Sequence, residues 1–129
     1  MKRIVTYISL FSLLAIISSF TIKSGIDEVV DAMKAGNYNE VARHFDNNVE
    51  ISMPDKSNSY SKSQAALVLK DFFTTNSIKG FDIIHKGENA GSQYCIGTLK
   101  CKNGDYRTTI FMKQKADVQV LQELRFENR

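Results

Sequence analysis

From Gln93 to Lys115 the chain reads QYCIGTLKCKNGDYRTTIFMKQK, two apolar-rich runs on either side of Asn103-Gly104. Asn-Gly between two such runs is the strongest short-range hairpin signal, so Gln93–Lys102 and Asp105–Lys115 are expected as antiparallel strands joined by a two-residue turn. That turn would pair Cys101 with Tyr106, Leu99 with Thr108, Gly97 with Ile110 and Cys95 with Met112, along the more apolar face of the ribbon. Towards the C-terminus, Val118, Val120, Leu124 and Phe126 alternate with Gln119, Glu123 and Arg125, which reads as a further strand. Its apolar face meets Ile110 and Met112 only if the connecting loop has odd length, so Ala116-Asp117-Val118 is expected to form it. Upstream, Phe81–Lys86 is a fourth strand and Gly87–Gly91 a turn.

Before these strands the apolar period is helical. Ser24 can cap a helix opening Gly25-Ile26-Asp27, whose Ile26, Val29, Val30 and Met33 share a face and which Gly36-Asn37 ends. A short second helix is expected from about Asn39 to Asp46, burying Val41, Ala42 and Phe45. Val49, Ile51 and Met53 then alternate with Glu50 and Ser52 as a half-buried strand, and Pro54–Ser59 reads as a polar loop. Ser61 or Ser63 caps a third helix, with Ala65, Ala66, Leu69, Phe72 and Phe73 as its stripe, ending before Ser77. Helices followed by a meander of antiparallel strands make an α+β domain, with the helices over one face of a bent sheet and a cleft at the open end.

Residues 1–22 have a different character. Met1-Lys2-Arg3 is positive, Ile8–Ile17 is apolar apart from Ser9 and Ser12, and Ser18, Ser19 and Thr21 are small and polar. These are the three parts of a secretion signal. A membrane-spanning helix needs about 20 apolar residues, whereas seven of the nineteen from Ile4 to Ile22 are Ser, Thr or Tyr. We therefore expect residues 1–22 to be a signal peptide and 23–129 a single domain, exported to the periplasm or cell envelope. Cleavage could follow Ser19, Thr21 or Ser24, and an uncleaved segment would be the domain's link to a membrane. No cysteine precedes Cys95, which argues against a lipoprotein.

The chain carries 17 basic and 14 acidic residues, net +3; without Lys2 and Arg3 this falls to +1. So neutral a domain lacks the footprint that nucleic acid requires, and no nucleic-acid partner is expected. Cys95 and Cys101 invite a disulfide, but six residues of one strand span about 20 Å, and a disulfide needs Cα atoms within about 7 Å. They read as two separate packed thiols.

Several stretches resemble known proteins. Ile26 to Tyr38 (IDEVVDAMKAGNY), continuing to His44-Phe45-Asp46 and Val49-Glu50-Ile51, resembles the opening of the nuclear transport factor 2-like (SnoaL-like) cone fold. More narrowly, Tyr60 to Ala65, His85-Lys86-Gly87, Tyr94 to Leu99 and Gln122 to Glu127 resemble an exported bacterial family, domain of unknown function 4783. The resemblance implies three N-terminal helices on a strongly curved antiparallel sheet, a conical cavity and frequent homodimers. It implies no particular reaction, since this fold carries isomerases, cyclases, dehydratases and non-catalytic modules.

Enzymes of this fold typically transfer protons inside the cone, using an Asp or His base and a Tyr or Arg partner. His85 shares parity with Phe81 and Ile83 and reads as a structural histidine bonded to a loop backbone, or more sharply as the candidate catalytic base; Asp82 has the opposite parity. By the same rule Tyr106, Thr108, Ile110, Gln122 and Leu124 face the cleft, with Glu123 outside. Tyr60, Phe72, Phe73 and Phe81 read as core aromatics, or more sharply as the lining of a ligand cleft. His44 reads as a surface residue on a helix flank. The two histidines and two cysteines do not match zinc spacings, so no metal is expected. No Gly-rich phosphate loop, Gly-x-Ser-x-Gly elbow or Cys/His nucleophile signature occurs, so no cofactor is expected either. Ile96, Thr98, Thr109 and Phe111 lie on the opposite face and would suit a homodimer. The leading expectation is an exported, non-catalytic binding or interaction module, holding a small apolar ligand in the cleft or a partner on the sheet. The alternatives are an acid–base lyase or isomerase using His85, and a structural domain of an envelope assembly.

Overall fold

The computed structural model describes residues 24–129; the expected signal peptide lies outside the described residues. In chain order the elements are α1 (Gly25–Ala35), α2 (Tyr38–Arg43), β1 (Phe45–Met53), β2 (Lys56–Ser61), α3 (Lys62–Asn76), β3 (Ile78–Asn89), β4 (Ser92–Cys101), β5 (Tyr106–Lys115) and β6 (Val118–Asn128). Among the described residues no helix is long and apolar enough to cross a membrane.

Each helix begins and ends for a local reason. Ser24 precedes α1 but does not cap it; its hydroxyl donates to Asp27 Oδ2 at 2.8 Å. The end of α1 is a Schellman turn, in which Gly36 N–H donates to Met33 O and Asn37 N–H to Ala32 O. Gly36 takes φ +65° there, a conformation that penalises any Cβ. Helix α2 stops at Arg43, three residues short of expectation, because the next backbone groups are claimed by the sheet. Leu121 N–H donates to His44 O at 2.7 Å, and Phe45 pairs with Leu121. Phe45 is thus a buried strand residue instead of a helical one. Ser61 caps α3, accepting from Gln64 N–H at 3.3 Å.

Six strands form one sheet in the order β2-β1-β6-β5-β4-β3. The meander β3 to β6 is antiparallel as expected, but β1 lies parallel to β6, so the sheet is mixed. Pro54–Ser59, read as a loop, contains most of β2. That edge strand is exposed along nearly its whole length, so it carries no apolar alternation for a sequence to display.

Register departs from expectation in three places. Cys95 pairs with Ile110, Gly97 with Thr108 and Leu99 with Tyr106, two residues from the register of a tight Asn103-Gly104 turn. A type I′ turn needs positive φ at both central residues; Gly104 has φ +136° and Asn103 is not positive. Asp105 Oδ1 instead accepts Cys101 N–H at 3.3 Å and lengthens the loop. A slip of two leaves every side chain on its expected face. Between β5 and β6 the turn is two residues, Ala116-Asp117, and parity is corrected by a bulge at Gln122 in place of an odd loop: Phe111 pairs with Glu123 but Met112 with Leu121. The third departure is in β3, where Ile83 pairs with Gly97 and His85 with Ile96, leaving Ile84 as an extra residue.

The core lies between the helices and one sheet face. Val29 and Met33 of α1, Leu69 of α3, and Ile51, Leu99, Ile110, Met112, Leu121, Leu124 and Phe126 of the sheet are almost wholly buried. Phe72 stacks on Phe126 at 4.4 Å between ring centroids. Cys95 and Cys101 are both buried free thiols of β4, as the strand geometry required, and burial pushes the Cys101 thiol up to about 11.

Candidate functional site

Three of the five residues expected to line the cleft belong to the core. Thr108, Ile110 and Leu124 are wholly buried and pack under the helices. Those positions are corrected from ligand lining to core: Ile110 and Leu124 belong to one buried cluster with Met33, Leu69, Phe72 and Phe73, and Thr108 is 0% exposed. Tyr106 is half-buried, with its hydroxyl donating to Asn76 Oδ1 at 3.2 Å and its ring 5.2 Å from Phe72. Gln122, on its bulge, donates to Asp46 Oδ2 at 3.1 Å. These two are anchored by protein groups rather than aimed at a ligand.

His85 is also displaced. The Ile84 bulge inverts strand parity, so Lys86 turns inward beside Asp27 of α1 and His85 turns to the outer face, where it is exposed. The expectation of an inward base fails for that reason. His85 Nε2 is hydrogen-bonded to the Tyr94 hydroxyl at 2.8 Å. The Tyr94 ring lies across Gly87, where an added Cβ would come within 2.7 Å of it. Around this pair the outer face is apolar. Ile96 pairs with Thr109 and Tyr94 with Phe111, all four half-buried. Thr98 drops out of the expected patch, being buried and hydrogen-bonded to Arg129. A charged margin follows: Asp82 with Lys100 on one side, and Arg125 with Glu123 and Glu127 on the other.

A second cluster escaped the sequence reading. His44 is not a surface residue, since its side chain is only 11% exposed. Its Nε2 lies 3.3 Å from Glu28 Oε2 of α1 and 4.0 Å from Glu40 Oε1 of α2, yet it has no hydrogen-bond partner. Burial lowers the imidazole pKa more than the neighbouring carboxylates raise it, with Arg43 adding to the depression. The ring is therefore neutral at neutral pH. His44 and Glu28 line a groove of about 370 Å³ with Gly25, Gln114, Asp117 and Gln119. The signal in the sequence was the four-residue step from Glu40 to His44, which places both on one side of a helical turn.

A family model described as "Domain of unknown function (DUF4783)" matches residues 26–127. The chain belongs to that family. The solved structure of a DUF4783 protein from Bacteroides ovatus is 27% identical, with a TM-score of 0.76 over 79% of this chain and 93% of that one. A DUF4783 protein from Bacteroides fragilis is 29% identical, with a TM-score of 0.75 over 79% and 96%. An NTF2-like protein of unknown function from Cytophaga hutchinsonii, 9% identical, matches with a TM-score of 0.59 over 84% and 91%, and shows the fold alone. No curated protein matches the chain. The fold is thus the nuclear transport factor 2-like one.

In this DUF4783 domain the Gln122 bulge also serves Asp46, which is nearly buried. Asp46 Oδ2 receives Lys115 Nζ at 2.8 Å and Gln122, while Oδ1 accepts Asn47 N–H. The Lys115 hydrogen bond, chiefly, holds the carboxyl below the usual Asp range, against a smaller opposing effect of burial. A depressed folded-state pKa contributes stability that is present above the unfolded value, about 4, and is lost as pH falls through the folded one. Thermal melts between neutral pH and strong acid should therefore show Asp46→Asn losing less stability than the wild type. Equal acid slopes would mean the pair contributes nothing.

Proposed function

We propose that this domain is an exported, non-catalytic interaction module of the periplasm or cell envelope, which pairs with a second copy through the outer face of its sheet. The observation that carries the reading is the apolar group of Tyr94, Ile96 and Phe111 in the middle of that face, flanked by charges of both signs. The inner face is filled by helices, so the outer one is the broad surface left for a partner. Charges of both signs at the margin suit a self-complementary interface, because a two-fold axis sets each patch against itself. Export rests on the charge, apolar run and small-residue exit of residues 1–22. The acid–base alternative loses its support with His85, which stands on the opposite side of the sheet from the helices. Sedimentation equilibrium tests the reading: the wild type should be dimeric at tens of micromolar and Phe111→Arg monomeric, with an unchanged circular dichroism spectrum. A monomeric wild type at that concentration, or a dimer indifferent to Phe111→Arg, would sink it.

A further inference from the structure

We infer that Glu28, Glu40 and His44 form a binding site for a single divalent transition-metal ion of the zinc type, held where α1, the end of α2 and the β5–β6 turn meet. The three side chains bring one imidazole nitrogen and two carboxylate oxygens within 4.8 Å of one another. His44 Nε2 supplies the second, independent observation. It is shut away from solvent and makes no hydrogen bond, although Glu28 Oε2 is only 3.3 Å away. A buried polar atom left in that state carries a desolvation cost that something should offset. The spacing itself has a natural explanation. Ligand bonds of about 2.1 Å to nitrogen and oxygen, opened at the tetrahedral angle, set two donors about 3.4 Å apart. The Nε2–Oε2 pair is already at that separation but misaligned for a direct hydrogen bond. Glu40 Oε1, at 4.0 Å, needs only a small side-chain rotation to close the third position. The adjoining groove leaves room for water as the fourth ligand.

Arg43 is the competing cation. Its guanidinium lies 3.7 Å from Glu28 and is hydrogen-bonded to Glu40, but its side chain is 63% exposed and free to swing into solvent. Metal binding thus exchanges one positive group for another. That exchange distinguishes a metal site from a simple ion-pair cluster, in which Arg43 would be indispensable.

The test is titration of the untagged full-length chain with zinc by calorimetry, and with cobalt by visible absorption. One equivalent should bind, and the cobalt complex should show the intense bands of a low-coordinate site containing nitrogen. Loss of a mere outer-shell partner costs about 10–100-fold in affinity, so His44→Ala, which removes a ligand, should cost at least about 100-fold. Glu28→Gln, at a side chain 40% exposed and therefore tolerant of the change, should do the same if His44→Ala disturbs folding. Arg43→Ala should bind several-fold more tightly, and His85→Asn should bind as the wild type does. Absence of binding in both wild type and Arg43→Ala would overturn the inference. So would binding that survives Glu28→Gln, or that is lost in His85→Asn.

Discussion

Phe126→Ala should cost the domain about 3–5 kcal/mol of folding stability. Phe126 is wholly buried in β6, the strand on which β1 and β5 both pair. Its ring stacks on Phe72 of α3, which in turn meets Tyr106 at 5.2 Å and Phe73 at 6.4 Å. Truncation therefore removes a ring contact between the long helix and the sheet and leaves a hole beside Phe72, which its own contacts with Tyr106 and Phe73 hold in place. Small domains have only about 5–15 kcal/mol in total, so the loss is a large share of the domain's stability. Urea denaturation followed by circular dichroism measures the loss. A shift below about 1 kcal/mol would mean that the stack contributes little and that the helix is held elsewhere.

Gly97→Ala should be the other severe change, for the opposite reason. An added Cβ at this position would lie 2.3 Å from Phe81 Cζ and 2.6 Å from the backbone oxygen of Asp82. The ring could rotate, but the oxygen belongs to β3, whose Ile83 pairs directly with Gly97. Relief requires β3 and β4 to separate locally, and overpacking of this kind typically costs about 1–3 kcal/mol. Gly80→Ala is the control: nothing lies within 4 Å of its Cβ position, so its midpoint should barely move. Adding Phe81→Leu to Gly97→Ala should recover part of the loss and leave the part owed to Asp82. Full recovery would show that the ring alone was responsible.

These two residues also mark what the sequence could and could not reveal. Phe126 was readable as core from simple alternation, because β6 is regular from Leu124 onward. The Asn103-Gly104 pair located its hairpin correctly, and its two-residue slip in register left the inside and outside of β4 and β5 unchanged. Bulges act differently, since a single extra residue exchanges the faces beyond it. Nothing in the run of residues 78–89 marks Ile84 as the extra one, and so His85 was placed on the wrong side. Gln122 is the contrary case: the parity mismatch it repairs was visible, but a loop of odd length explained it equally well. Edge strand β2 was missed because an exposed edge has no reason to be apolar. His44 was missed because its neighbour Glu28 lies sixteen residues earlier, in α1, and the two meet only once α1 and α2 are packed together.

The parallel pairing of β1 with β6 has a consequence for how the molecule comes into being. A ribosome releases β1 well before β6, yet β6 is the strip that joins the β1–β2 hairpin to the meander of β3, β4 and β5. Until residues 118–128 emerge, the nascent chain can make two separate ribbons but not one sheet, and its helices have only half a platform. Because sequence-distant contacts must await loop closure, the domain should remain loose and protease-sensitive throughout translation and then consolidate in one late step. Termination before residue 118 would leave a product lacking the strand that joins its two ribbons, not a slightly smaller version of the same protein.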